Sequence, residues 1–260
     1  MIEKIIHFSD LHIKLYKDHQ QYQEILSRCF KEWTELKPDR IVFTGDLVHS
    51  KNQMTPELIN MVTWVLSQCS VICPTIILIG NHDFLENNLD RVDAISPIIN
   101  TMDNPDIMYF KSPGVEEDEN INWIVYSLMD HNKRPDFNPD PDKVNIGLFH
   151  GPIQGLVTDM GFAFDDGYNT NEFRGCDLVL AGDIHKHQVL DIPNGKKAYM
   201  VGSLIQQNFG ENVRKHGYGI YDVKEDEYKF IEVSNFSPYL NFKIKDITDI
   251  ENGKEKLTNF

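Results

Sequence analysis

Apolar, β-branched runs recur along this chain, and five of them break into residues that can ligate metals. Ile5-Ile6-His7-Phe8 leads into Asp10-Leu11-His12, Ile41-Val42-Phe43 into Gly45-Asp46, and Thr75-Ile76-Ile77-Leu78-Ile79 into Gly80-Asn81-His82-Asp83. The run at 144–149 leads into His150, and Leu178-Val179-Leu180 leads into Gly182-Asp183-Ile184-His185. Short continuous apolar runs bounded by turn residues read as buried strands, and in α/β sheets ligand sites form beyond the strands' C-terminal ends. Five strand ends of this kind point to one site.

The intervals between the first three runs carry helical spacing. Tyr22, Ile25, Leu26, Cys29, Phe30, Trp33 and Leu36 recur at steps of three and four, and Pro38 ends the pattern. Thr55-Pro56 supplies an N-cap and a first-turn proline for a helix with Leu58, Val62, Val65, Leu66 and Cys69 on one face. Three strands separated by two helices make a βαβαβ unit with parallel strands, which puts Asp10, His12, Asp46, Asn81 and His82 on one edge.

Beyond this unit the spacing predicts a short helix over 89–100 and strands over 107–110, 121–127 and 144–149. The acidic stretch 116–119 and the proline-bearing stretch 132–142 read as exposed loops. The Gly- and Asp-rich connection after His150 is long enough to suggest function. Four more strand-like runs follow at 188–192, 198–201, 218–223 and 228–233, with turns at Asn194-Gly195 and 224–227. A βα half and a hairpin half predict an α/β protein in which a two-sheet β-sandwich is flanked by helices, four layers in all. Residues 1–235 form its main domain, and 236–260, strand-like at 240–244, begin a second, incomplete one.

Composition narrows the partners. The chain has 260 residues and a formal net charge of −15, which argues against a broad basic surface for duplex DNA. Lys14, Lys51 and Lys186 flank ligand-bearing stretches, so the mouth of the site can be less negative than the whole. Four cysteines, Cys29, Cys69, Cys73 and Cys176, read as small buried hydrophobes in a reducing compartment. No apolar run approaches the roughly 20 residues of a membrane-spanning helix, and the N-terminus lacks an export signal, so a cytoplasmic protein with no membrane contact is expected. Trp33, Trp64 and Trp123 read as core.

Asp10, Asp46, Asp183, His12, His82, His150, His185, His187 and Asn81 together offer mixed nitrogen and oxygen donors without thiolates. Such a set suits Mn²⁺, Fe²⁺ or Zn²⁺ better than calcium, and it overfills one coordination sphere. Two ions about 3.5–4 Å apart can hold the attacking and leaving oxygens of a phosphoryl displacement.

The order D-x-H, G-D, G-N-H-D, H and a final Gly-anchored pair, over residues 10–185, resembles the calcineurin-like metallophosphoesterases. The resemblance implies that Asp10 and His12 bind the first metal, that Asp46 bridges, and that Asn81 and His150 bind the second. It also implies that His82 is the general acid or transition-state stabiliser, that Asp83 orients it, and that a metal-bound water is the nucleophile. The last pair departs from the pattern, with Asp183 where the family usually has histidine. Either Asp183 and His185 are the ligands, or the pair slips to His185 and His187; a carboxylate at 183 would favour manganese.

The opening Ile-His-Phe-Ser-Asp-Leu-His-Ile, the His-Lys-x-Gln run after His185 and the strand-rich tail are similar to the SbcD-like nuclease subunits of recombination and repair complexes, phage versions included. That similarity implies manganese-dependent exonuclease and endonuclease action on DNA, a homodimer, an ABC-type ATPase partner (SbcC-like), and a C-terminal capping domain. His49 departs from it, where an acid is more usual. A phosphoesterase acting on a small phosphodiester or phosphoprotein and a non-catalytic scaffold stay open as alternatives.

Overall fold

A computed structural model describes residues 1–130, 133–235, 237–240, 246 and 248. The parallel unit forms as the apolar pattern predicts. β1 (Lys4–Phe8), β2 (Arg40–Thr44) and β3 (Thr75–Leu78) alternate with α1 (His19–Leu36) and α2 (Pro56–Ile72). In register, Ile6 lies opposite Ile41 and Ile41 opposite Thr75, so the three strands end together. Thr55 caps α2 by accepting from the Leu58 N–H at 3.3 Å, with Pro56 in the first turn. α1 stops where Lys37 turns left-handed just before Pro38.

α3 (Ser96–Met102) and β4 (Ile107–Phe110) follow, and β4 pairs parallel with β3. The expected helix over 89–100 begins only at Ser96. Leu89 and Val92 are exposed, so no apolar face supports an earlier turn, and the Asp93 carboxylate takes the Ile95 and Ser96 amides at 3.0 and 2.7 Å. Residues 116–119, expected as loop, belong largely to β5 (Gly114–Asp118), which pairs antiparallel with β6 (Ile121–Tyr126). Its glutamates make it a charged edge strand, a common guard against edge-to-edge association.

β7 (Val144–His150) and β8 (Leu178–Gly182) continue the second sheet in parallel, and β9 (Gln188–Asp191) and β10 (Lys197–Met200) complete it in the order β5-β6-β7-β8-β10-β9. β11 (Gly217–Asp222) and β12 (Glu227–Glu232) return to the first sheet, giving β12-β11-β1-β2-β3-β4. Among the described residues the fold is therefore two mixed six-stranded sheets packed face to face.

Three apolar layers hold it. Val42, Ile76 and Leu78 meet Trp123, Ile146, Leu148 and Leu180 between the sheets. Trp33, Leu26, Val62 and Leu66 cover the outer face of the first sheet through Phe8, Phe43 and Ile77. The outer face of the second sheet is covered by irregular chain, with Ile153, Leu156 and Phe173 packed on Ile124, Tyr126, Phe149 and Val179. The fourth layer is thus the long connection after His150 with a 3-10 turn at Thr170–Phe173, and the α-helices lie on one side only. The strand-like run at 240–244 falls, apart from Leu240, outside the described residues. No helix among the described residues is long and apolar enough to cross a membrane.

Candidate active site

The C-terminal ends of β1, β2 and β3 face those of β7 and β8 across the seam between the sheets. The turn after β1 pairs with the turn after β2: Asp10 N–H donates to the Gly45 carbonyl at 3.1 Å and His12 N–H to the Asp46 carbonyl at 3.0 Å. Both turns are strained, with left-handed backbone at Asp10 (φ 54°), His12 (45°), Asp46 (62°) and, after β8, Asp183 (99°). Non-glycine residues persist in this region only where surrounding structure over-determines them, and such positions cluster at functional sites. The approach of the two sheets is close. Gly45, at φ 97°, has no room for a Cβ against the His150 ring, and a Cβ on Gly182 would strike Ser9 Oγ and the Thr44 carbonyl.

Asp83 organises these turns. Its buried carboxylate accepts from the N–H groups of Gly80 (2.9 Å), Asp46 (3.1 Å), Leu47 (3.0 Å) and Val48 (3.2 Å). The expectation that Asp83 orients His82 is corrected here: its oxygens are committed to main-chain amides, and the His82 ring is held instead by its Nδ1–H donating to the His49 carbonyl at 2.8 Å.

The donor atoms converge around Asp46, which is 1% exposed. Its two oxygens serve two sides: Oδ1 lies 3.3 Å from His150 Nε2, and Oδ2 lies 3.4 Å from His12 Nε2. On the His12 side, Asp10 Oδ1 is 3.8 Å from His12 Nε2 and 4.0 Å from His185 Nε2, and the two imidazole nitrogens are 3.0 Å apart. On the His150 side, Nε2 is 3.3 Å from Asn81 Oδ1 and 3.7 Å from Asp183 Oδ1. All seven residues expected as ligands therefore meet, in two groups that share Asp46. His187 does not join them: its Nδ1 bonds the Met200 carbonyl at 3.0 Å and its ring stacks on Phe230 at 4.0 Å. The geometry thus separates the two possible registers of the last motif, with Asp183 and His185 facing the cluster.

Outer contacts aim the imidazoles. His150 Nδ1 lies 2.6 Å from the Thr44 carbonyl, and His185 Nδ1 lies 2.7 Å from Glu211 Oε1. Each oxygen can only accept, so each Nδ1 carries the proton and Nε2 points its lone pair inward, the arrangement of metal-binding histidines. Left without a cation, the cluster holds protons. Burial pushes Asp10 up to about 6. Burial opposes the charging of His185, but Glu211, Asp10 and Asp46 bring it to about 9. Burial likewise opposes the charging of His150, and the Asp46 carboxylate raises it well above the usual imidazole value. Two ring nitrogens at 3.0 Å among buried carboxylates repel unless a proton or a metal ion lies between them. The donor set fits divalent cations of borderline hardness.

His82 stands at the mouth, half-buried, with its ring edge-on to His12 at a centroid distance of 4.6 Å and near the exposed His49 at 5.8 Å. Its main-chain N–H donates to Asp46 Oδ1 at 2.8 Å. Of the lysines expected to lighten the mouth, Lys51 bonds the Asn81 carbonyl at 2.7 Å and Lys14 bonds Asp18 and Tyr239, both at 3.1 Å. Their charges are local and structurally engaged. Glu211, the Thr44 carbonyl and the His49 carbonyl are absent from the sequence reading. Nothing in the local pattern around residue 211 links it to the motifs, and main-chain carbonyls carry no residue-type signal.

A model of the calcineurin-like phosphoesterase family matches residues 3–187, which span every ligand candidate from Asp10 to His185. The chain belongs to that family. An uncharacterized protein of Acanthamoeba polyphaga mimivirus is 36% identical over 265 residues, covering 96% of this chain and 19% of that protein. This chain therefore spans about a fifth of that relative's length. A protein of Invertebrate iridescent virus 6 is 33% identical over 85 residues, 33% of this chain and 29% of its own length. Among solved structures, a dimetal phosphatase from Danio rerio shares the fold with a TM-score of 0.54 at 11% identity, over 90% of this chain and 99% of that one. Calcineurin-like phosphoesterase membership accounts for the ordered ligand motifs, whereas Glu211 lies beyond the matched residues.

Proposed function

We propose that this phosphoesterase is a two-metal nuclease that hydrolyses phosphodiester bonds in DNA. The observation that carries the two-metal reading is the position of Asp46, whose oxygens face separate donor groups. Asp10, His12 and His185 would hold one ion and Asn81, His150 and Asp183 the other, with Asp46 shared. Bound there, divalent ions would supply charge neutralisation at the phosphoryl oxygens and a nucleophile at neutral pH. His82, at the mouth, is placed to donate a proton from Nε2 of its imidazolium to the leaving oxygen or to steady charge on the phosphoryl group, while its Nδ1–H stays engaged by the His49 carbonyl and holds the ring in place. The Asp183 carboxylate makes manganese the favoured ion.

Space on both sides of the cluster supports a diester over a monoester. A groove of about 450 Å³ with Lys14, Tyr16, Lys17 and His49 lies on one side, and one of about 290 Å³ with Met160 and Lys186 lies against Asp183 and His185 on the other. A substrate with organic groups on both oxygens of its phosphate uses both. The similarity of the opening motif to SbcD-like subunits favours DNA, and extends the proposal to a homodimer and an ABC-type ATPase partner. Four free, buried cysteines suit a reducing, cytoplasmic setting. A second reading, hydrolysis of a small phosphodiester, is favoured by the net charge of −15 and by the engagement of Lys14 and Lys51.

The test is degradation of end-labelled linear DNA with Mn²⁺, with a chelator and His82→Ala as controls. Shortening should depend on both the metal and His82, and the position of the label reports polarity. No shortening alongside metal-dependent cleavage of a small phosphodiester would replace the nuclease reading with the second one.

A further inference from the structure

Three imidazoles converge at the mouth of the site, one of them shared with the ligand cluster below. His12, His49 and His82 each bring a ring nitrogen within 4.8 Å of the other two. The His12 ring stands edge-on to both partners, with centroids 4.6 Å from His82 and 5.8 Å from His49. The His49 and His82 rings lie within 30° of parallel, 5.8 Å apart. His82 commits Nδ1 to the His49 carbonyl at 2.8 Å, which leaves its Nε2 available. His49 is exposed and borders the groove that also holds Lys14 and Tyr16, so an ion from solvent reaches the trio without entering the buried seam.

Donor chemistry sets this trio apart from the two groups around Asp46. Asp10, Asp46 and Asp183 give those groups carboxylate oxygens, which suit manganese, whereas the trio offers nitrogen alone. Manganese stands lowest in the affinity order for such nitrogen donors, and zinc stands well above it. Imidazole nitrogens bind zinc at about 2.0–2.1 Å, and three of them leave the fourth tetrahedral position to water or an anion. Nitrogens on one tetrahedral zinc lie roughly 3.4 Å apart, a spacing within reach of a small turn of the exposed His49 side chain. His12 belongs both to this trio and to the group with Asp10 and His185. Zinc held by the trio therefore draws His12 from the first catalytic ion and occupies the His82 nitrogen that would carry the proton.

We propose that His12, His49 and His82 form an inhibitory zinc site, selected against manganese by its all-nitrogen donors and competing with the two-ion centre for His12. The proposal rests on the two-metal reading of the cluster and is independent of which phosphodiester is cut.

The experiment titrates Zn²⁺ into the full chain held in saturating Mn²⁺, reading heat by calorimetry and, in parallel, hydrolysis of a small phosphodiester. The wild type should take up one zinc tightly, with activity falling as it binds. His49→Gln removes the third imidazole, keeps the main-chain carbonyl that holds His82, and alters only an exposed side chain. It should weaken that zinc about 100-fold, the upper end of what losing even an outer partner of a metal-binding histidine costs, and raise the zinc needed for half-inhibition by the same factor. His82→Ala, in the calorimetric arm alone, should weaken the zinc to a similar extent. Zinc that merely replaces manganese in the groups around Asp46 binds the wild type and His49→Gln alike, so equal affinity and equal inhibition in the two would overturn the site. If the chain takes up no manganese, the two-metal reading fails and the competition for His12 fails with it, whereas zinc uptake that still needs His49 would support the trio as a metal site.

Discussion

At the scale of single residues, the site is a set of short-range commitments. Asp46 is the shared donor, so Asp46→Ala should lower the occupancy of both ions, whereas His82→Ala should keep both bound while turnover falls about 10²–10⁴-fold. Metal content by elemental analysis beside the rate separates the two, and an Asp46→Ala protein with two tightly held ions would refute the shared role. Asp10, raised to about 6, and His185, raised to about 9, must give up protons before they can ligate. Metal affinity should therefore rise with pH across that interval, with protons released on binding. Titration calorimetry in two buffers of different ionisation enthalpy counts them, and zero release would contradict the assignment. Glu211→Gln should weaken binding about 10–100-fold by loosening His185, as expected for an outer partner of a metal-binding imidazole.

Among elements, the joints carry more consequence than the strands. Arg40 on β2 reaches the other sheet and grips Asp118 at the end of β5 in a bidentate pair, 2.7 Å to Oδ2 and 2.5 Å to Oδ1. Burial alone would push the Asp118 carboxyl up, but the bonds from Arg40 and Trp123 and the guanidinium charge hold it below the usual carboxylate range. A depressed folded pKa stabilises the fold above the ordinary carboxyl value of about 3.9 and loses that contribution as pH falls through the folded value. Asp118→Asn should thus cost about 1–3 kcal/mol at pH 7, and the gap to wild type should close in acid. Urea melts at pH 7 and pH 3 measure it, and a gap that stays constant would show that charge plays no part. The helix that starts at Ser96 and the strand at β5 show why element boundaries escape sequence patterns. Asp93 diverts amides that a helix would use, and the pairing of a glutamate-rich segment is decided by its neighbour β6.

Taken whole, the molecule brings ligands from both sheets to one seam, so metal binding and folding are linked. Mn²⁺ at about 100 times its dissociation constant should stabilise the protein by about 2.7 kcal/mol, seen as a rise in melting temperature that a chelator reverses. An unchanged melting temperature would mean that the seam does not bind the ion. The net charge of −15 over the whole chain coexists with a grooved mouth where Lys51 is tied to Asn81 and Lys14 to Asp18 and Tyr239. Net charge alone is therefore a poor guide to what the mouth accepts.

The amino-acid pattern by itself determined the βαβαβ unit, the strand ends that carry Asp10, Asp46, Asn81, His150 and Asp183, and the family resemblance of their order. Each of these is a local property, an apolar run and the few residues that close it. Tertiary structure alone decided that His185 faces the cluster while His187 turns to Phe230, that Asp83 binds four main-chain amides, that Glu211 steadies His185, and that irregular chain covers the second sheet. The reason is physical: these outcomes depend on how two sheets meet at Gly45, Thr44 and Gly182, through contacts between residues more than a hundred positions apart, which no local period encodes.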